Sequence, residues 1–210
     1  ELAAFCEIAR KAGALFLHDS TYRDFADGHM PATALWPEGA ITVVSFSKWL
    51  GLAGLRVGAL VAEPTLLERL AAASQAPLGG SVIAQRAALA GLAVKAEWMG
   101  QVQALQRANQ ARIRRAVEAL PGFALPVYPS HGNFLVVECA EAGIRPEALV
   151  AEFGREGIMI RQGSYHTPRF GDRFVKVSTT VPEAWVEAFC DRLPEMAARA
   201  RERNEIPALF

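Results

Sequence analysis

The chain has 210 residues, half of them hydrophobic, with 22 basic and 22 acidic side chains. That balance leaves no net charge to recruit nucleic acid or an anionic membrane, and no apolar run reaches the roughly 18 residues a transmembrane helix needs. Three widely spaced cysteines, Cys6, Cys139 and Cys190, read as free thiols in a reducing, cytoplasmic setting rather than as a disulfide frame or metal site.

In chain order, Leu2, Phe5, Ile8 and Ala9 recur at helical spacing, and Gly13 is placed to end that helix. A strand is expected at 14–18, then a polar loop holding Gly28, Pro31 and Pro37. A second strand covers 41–46 and a third 56–62, stopped by Pro64. Two helices follow, 64–75 and 81–94, separated by Pro77 and the Gly79-Gly80 pair. A long amphipathic helix is expected over 97–120, with Trp98, Val102, Leu105, Ile113, Ala116 and Leu120 as its apolar stripe. At 1.5 Å per residue it spans roughly 35 Å, and Pro121-Gly122 ends it. Strands are then predicted at 134–138, 158–161 and 174–178, with a helix over 146–156 between the first two. A last helix opens at Pro182, with Thr180 and Glu183 at capping-box spacing, and Pro194 is expected to kink or break it. Helix, strand, crossover, strand is the syntax of an α/β sheet covered by helices.

The densest chemistry lies in Ser45-Phe-Ser-Lys48-Trp-Leu-Gly51-Leu-Ala-Gly54-Leu-Arg56-Val-Gly58. A lysine at a strand end, among glycines that admit a ligand, can form a Schiff base with an aldehyde. Ser45 and Arg56 can hold a phosphate, and a guanidinium matches phosphate oxygens in a fork. Ser47 is a further hydroxyl that either joins the phosphate or satisfies local backbone. Aldehyde plus phosphate describes pyridoxal 5′-phosphate (PLP), whose ring nitrogen wants an acidic partner. Asp19 supplies one at the end of the apolar run 14–17, although an Asp-Ser-Thr sequence also suits a turn. Tyr22, three residues on, falls on the same face of a single turn and can reach the cofactor's phenolic oxygen.

These segments, together with Ile158-Met-Ile-Arg161 and Phe174-Val-Lys176-Val-Ser178, resemble the fold-type-I, class I/II aminotransferases, in particular their histidinol-phosphate aminotransferase-like branch. The resemblance runs over essentially the whole chain and matches the C-terminal part of such enzymes. It implies an α/β fold: residues 1–96 form part of the large PLP-binding domain, whose N-terminal portion is absent, and 97–210 a connecting helix with a small C-terminal domain. It further implies a homodimer with active sites at the subunit boundary. The activity implied is transfer of an amino group between an amino acid and a keto acid. Decarboxylation, cyclisation or hydroxylation on the same scaffold stays open, as does a non-catalytic regulatory domain.

At the substrate end, relatives place an arginine in an Arg-Ile-Ser-like strand to clamp the substrate carboxylate; here that position is Lys176, a point charge without the fork. Arg161 matches an arginine used by this branch for substrate, or is a solvated residue at a strand end. Alternation puts Phe174, Lys176 and Ser178 on one strand face. His166, Arg169 and Arg173 fall on the intervening loop. Relatives commonly carry Glu after the Asp at position 19, where this chain has Ser20.

Overall fold

A computed structural model describes residues 1–74 and 79–203. The expected helix end at Gln75 and the break at Pro77 fall outside these residues. The chain divides into two compact units, Glu1–Gly100 and Gln101–Phe210.

The first unit begins with α1 (Leu2–Lys11), which runs into β1 (Phe16–Asp19). The short α2 (Ala32–Leu35) follows, then β2 (Ala40–Ser45) and β3 (Gly58–Val61). Pairing is in the order β1-β2-β3, parallel between β1 and β2 and antiparallel between β2 and β3. β2, rich in β-branched residues, is the buried centre, whereas β3 is exposed along its length. Cys6, Ala32, Trp36 and Ala40 form a small core beneath α1. Phe5 and Ile8, expected on the inner face of α1, are instead more than half exposed. Leu2 and Ala9 pack against this core as expected, and the fully buried residue between them is Cys6, which side-chain size does not single out. α3 (Pro64–Ala73) and α4 (Val82–Ala93) complete this unit. Each opens on a side-chain cap: Glu63 accepts from the Leu66 N–H and Ser81 from the Ala84 N–H.

α5 (Lys95–Glu118) crosses the boundary between the units. In the second unit, β4 (Phe134–Glu138), β5 (Arg161–Gln162) and β6 (Phe174–Ser178) form an antiparallel sheet in the order β4-β6-β5. α6 (Pro146–Arg155) and α7 (Glu183–Arg201) complete the unit. Leu135, Val137, Val175 and Val177 share a core with Leu149 and Phe153 of α6 and with Phe189 and Leu193 of α7. The other sheet face therefore carries Phe174, Lys176 and Ser178, as alternation requires.

Three local expectations are corrected here. The strand predicted at 158–161 is reduced to Arg161–Gln162, because Ile158 is used to close α6. Its N–H donates to the Phe153 carbonyl at 2.9 Å, and the Gly157 N–H donates to Gly154 at 3.1 Å. Gly157, at φ +74°, supplies the left-handed residue that this C-terminal motif requires. The capping box at Thr180 does not form: Pro182 is the N-cap of α7 and makes no side-chain cap. α7 also runs on through Pro194, so the expected break does not occur; the proline lies on the exposed face of the helix.

The stripe expected on α5 is correct only toward its end. Ile113 and Val117 are fully buried, but Trp98 and Leu105 are more than a third exposed. Between them the buried positions are amides, Gln106, Asn109 and Gln110. Gln110 donates to the Ser130 carbonyl at 3.0 Å and accepts from the Ser130 N–H at 3.1 Å. Asn109 donates to the carbonyls of Thr179 and Val181, both at 3.0 Å, and Gln106 donates to Gly132. α5 thereby satisfies the backbone of the loops before β4 and after β6. Truncation would leave these buried carbonyls unpaired, so Asn109→Ala and Gln110→Ala should each cost about 1–3 kcal/mol in a denaturant titration. Leu105→Ala, at an exposed position, should cost far less.

Candidate active site

Strand direction decides what gathers at the edge of the first sheet. Because β1 and β2 run parallel, with Asp19 opposite Val43, their carboxyl ends leave from the same edge. Asp19 is the last residue of β1 and Ser45 the last of β2. β3 returns antiparallel and begins at Gly58, paired with Ser45, so Arg56 precedes it at that same edge. Ser47 and Lys48 lie in the turn immediately after β2. In open α/β sheets, ligands bind outside the carboxyl ends of the strands.

Asp19 accepts from the Thr21 N–H at 2.9 Å and from the Thr21 hydroxyl at 2.6 Å, both on Oδ1. The turn anticipated from Asp-Ser-Thr is thus present, and it gives the carboxylate a fixed orientation. Thr21 is the residue that sequence reasoning passed over, although its Asp-x-Thr spacing carried the signal. Ser20 is buried, and its N–H donates to the Val43 carbonyl at 2.9 Å. Tyr22 leads into a 3₁₀ turn, Arg23–Phe25. Its phenol is held above its ordinary pKa by burial first and by the charge of Asp19 second, so the two side chains share one electrostatic environment.

Lys48 is exposed, between half-buried Ser47 and buried Trp49. Ser45 Oγ accepts from the Ser47 N–H at 3.1 Å, so the hydroxyl that satisfies local backbone in this turn is that of Ser45. The turn is anchored through its neighbours. Trp49 packs on Phe46 with centroids 5.9 Å apart, and its carbonyl accepts from Trp98 Nε1 at 2.8 Å. Leu50 lies against Gly91 of α4, where an added Cβ would fall 2.1 Å from Leu50 Cδ2; any side chain at 91 must displace the turn. Arg56 has φ +51° and ψ +48°, a left-handed conformation uncommon for a long side chain. Its guanidinium donates to the Ala53 carbonyl at 2.8 Å.

The second unit holds Arg161 and Lys176 directly opposite one another across the β5–β6 pair, so both project from one sheet face. Lys176 Nζ sits 3.8 Å from the Phe134 ring centroid, and the Arg161 guanidinium 4.9 Å from that of Tyr165; both are cation–π distances. His166 is held below its ordinary pKa by burial first and then by Lys176 and Arg161. A base with a lowered folded pKa favours the folded state fully above its unfolded value of 6.5, and that contribution is lost as pH falls below it. His166 should therefore titrate below 6.5 by NMR, and Lys176→Met should move its midpoint upward.

A family model, aminotransferase class I and II, matches residues 1–193. The chain belongs to that family. A histidinol-phosphate aminotransferase of Roseiflexus castenholzii is 32% identical over 180 residues, covering 85% of this chain and 46% of that enzyme. An aromatic amino acid aminotransferase of Mycolicibacterium paratuberculosis is also 32% identical, over 86% of this chain and 48% of its own length. Among solved structures, histidinol-phosphate aminotransferase from Sinorhizobium meliloti, in complex with pyridoxal-5′-phosphate, superposes with a TM-score of 0.74. That match has 26% identity and covers 88% of this chain and 49% of the other. The chain thus spans about half the length of the relatives it matches. Its mixed α/β architecture is that of fold-type-I PLP enzymes, as an aminotransferase from Streptococcus suis with a TM-score of 0.81 also illustrates. Among the described residues, no helix is long and apolar enough to cross a membrane, and no group of three or more His, Cys, Asp or Glu residues could hold a metal ion.

Proposed function

We propose that the protein is a PLP-dependent aminotransferase, moving an amino group between an amino acid and a keto acid, with Lys48 as the lysine that holds the cofactor. The observation that carries this reading is the convergence of Asp19, Ser45, Lys48 and Arg56 on one edge of the β1-β2-β3 sheet, a donor set matching PLP's ring nitrogen, phosphate and aldehyde. The names of the relatives, histidinol-phosphate and aromatic amino acid aminotransferase, support the reaction class. Bound PLP supplies an electron sink for bond breaking at the substrate's α-carbon.

The chain's own residues do the rest. Thr21 engages Asp19 Oδ1, and the other oxygen remains for the ring N–H, which the carboxylate keeps protonated. Tyr22 donates its phenolic proton to the cofactor's ring oxygen; its raised pKa keeps that proton in place at neutral pH. Ser45, Ser47 and Arg56 hold the phosphate. Lys48 would hold the cofactor's aldehyde end, and its amine would serve as the base that moves a proton at the substrate's α-carbon. Arg161 and Lys176 bind the substrate's anionic groups, with Phe134 and Tyr165 steering the two cations.

Residues 1–96 then belong to the PLP-binding domain and 97–210 to the connecting helix and the small domain. The working unit is proposed to be a cytoplasmic homodimer. Its free thiols suit a reducing compartment, and C2 dimers are the commonest closed assembly. A fully active species with monomer mass in light scattering would refute the dimer. The functional reading itself is tested by borohydride reduction of the PLP-loaded protein and peptide mapping. The label is expected on the peptide containing Lys48; a label on Lys11, Lys95 or Lys176 would overturn the assignment.

A further inference from the structure

Lys95, in the first turn of α5, makes two contacts of different kinds. Its ammonium is ion-paired with Asp24, whose side chain is only 6% exposed, and it stands 5.2 Å from the Trp49 ring centroid. Asp24 belongs to the 3₁₀ turn entered from Tyr22, and Trp49 directly follows Lys48. One helical turn further on, Trp98 Nε1 donates to the Trp49 carbonyl. The start of α5 therefore grips both loops that leave the edge where Asp19 and Lys48 end up: the Asp19–Phe25 segment through a carboxylate, the Lys48 turn through an indole and a carbonyl. Neither loop has a regular ladder beyond the strand ends to fix its position relative to the other.

We infer that Lys95 is a positioning residue, which with Asp24, Trp49 and Trp98 sets the distance between the lysine that holds the cofactor and the Asp19–Tyr22 pair that addresses its ring. This rests on the PLP reading given above. Asp24 also lies 3.6 Å from the Arg23 guanidinium, so a single neutralising variant would shift the balance of charge around this buried carboxylate and mix folding with positioning. The double variant Lys95→Met, Asp24→Asn separates them. It removes both charges, keeps both volumes, and should melt near the parent in the absence of PLP.

Positioning predicts that this stable double variant still binds PLP at Lys48 but about tenfold more weakly, since displacement of a site group is felt strongly even when the cause lies outside the site. It also predicts an altered induced circular dichroism of the bound cofactor at saturation. The single variant Lys95→Arg, whose guanidinium can pair with the intact Asp24 carboxylate and stack on the indole, should keep both readouts at the parent's values. Trp98→Phe, which removes the indole N–H together with the smaller ring of a side chain that is 43% exposed, should weaken PLP in the same direction with little loss of thermal stability, and it decides the question if the double variant does not fold. Parental PLP affinity and an unchanged dichroic signal in the folded double variant, or in Trp98→Phe where that variant must decide, would overturn the inference and leave the pair a stabilising contact only. A parent protein that gives no borohydride adduct at Lys48 would instead defeat the functional reading, a separate outcome.

Discussion

Lys48→Ala should remove essentially all turnover, by at least about 10⁴-fold, while the protein retains loose, borohydride-insensitive PLP binding. Two proposed roles disappear with one amine. The covalent hold on the cofactor aldehyde is lost, and so is the base that moves the α-proton; general acid–base transfer alone is worth about 10²–10⁴-fold. Folding should hardly change, because Lys48 is exposed and the turn is anchored by buried Trp49 and by Leu50 against Gly91. Thermal melting and single-turnover absorbance on the same sample check both halves. A variant that keeps measurable steady-state turnover above background would remove Lys48 from the chemistry.

Asp19→Asn should slow the chemical step by at least about tenfold with little change in substrate KM. The carboxylate's proposed task is to keep the cofactor ring protonated, and a hydrogen bond to a charged group is worth about 1.5–3 kcal/mol, or one to two decades in rate. Asparagine keeps an oxygen for the Thr21 contacts, so the turn at the end of β1 should survive. This is what makes the substitution informative. If kcat is unchanged while the fold is intact, Asp19 serves only the turn in which it sits.

The sequence exposed those parts of the fold that obey a simple period. β4 and β6 begin and end where alternation placed them, because one face meets the core of α6 and α7 and the other does not. The placing of the Ser45–Gly58 candidates at one sheet edge was equally legible, since spacing around one lysine is local information. The sequence does not show the middle of α5, because the buried positions there are Gln106, Asn109 and Gln110; hydropathy assigns amides to solvent, and only the loop carbonyls they satisfy explain their burial. β5 was drawn too long because Ile158 has the composition of a strand but spends its N–H on the end of α6. Lys95 offered no signal at all. Its partners lie 71 and 46 positions upstream, and nothing in a charged residue opening a helix announces a buried carboxylate and an indole.

Arg56 carries a consequence for how this protein can change. Glycine adopts its left-handed backbone without penalty, whereas a side chain there costs about 1–2 kcal/mol. A library selected for heat resistance should drift toward glycine or asparagine at position 56, and one selected for cofactor retention toward arginine. The same site would be ranked in opposite order by the two screens, the trade-off expected where a strained conformation is kept for what its side chain binds. With the phosphate role proposed for Arg56, position 56 marks where a lineage freed from that role would first give up its arginine.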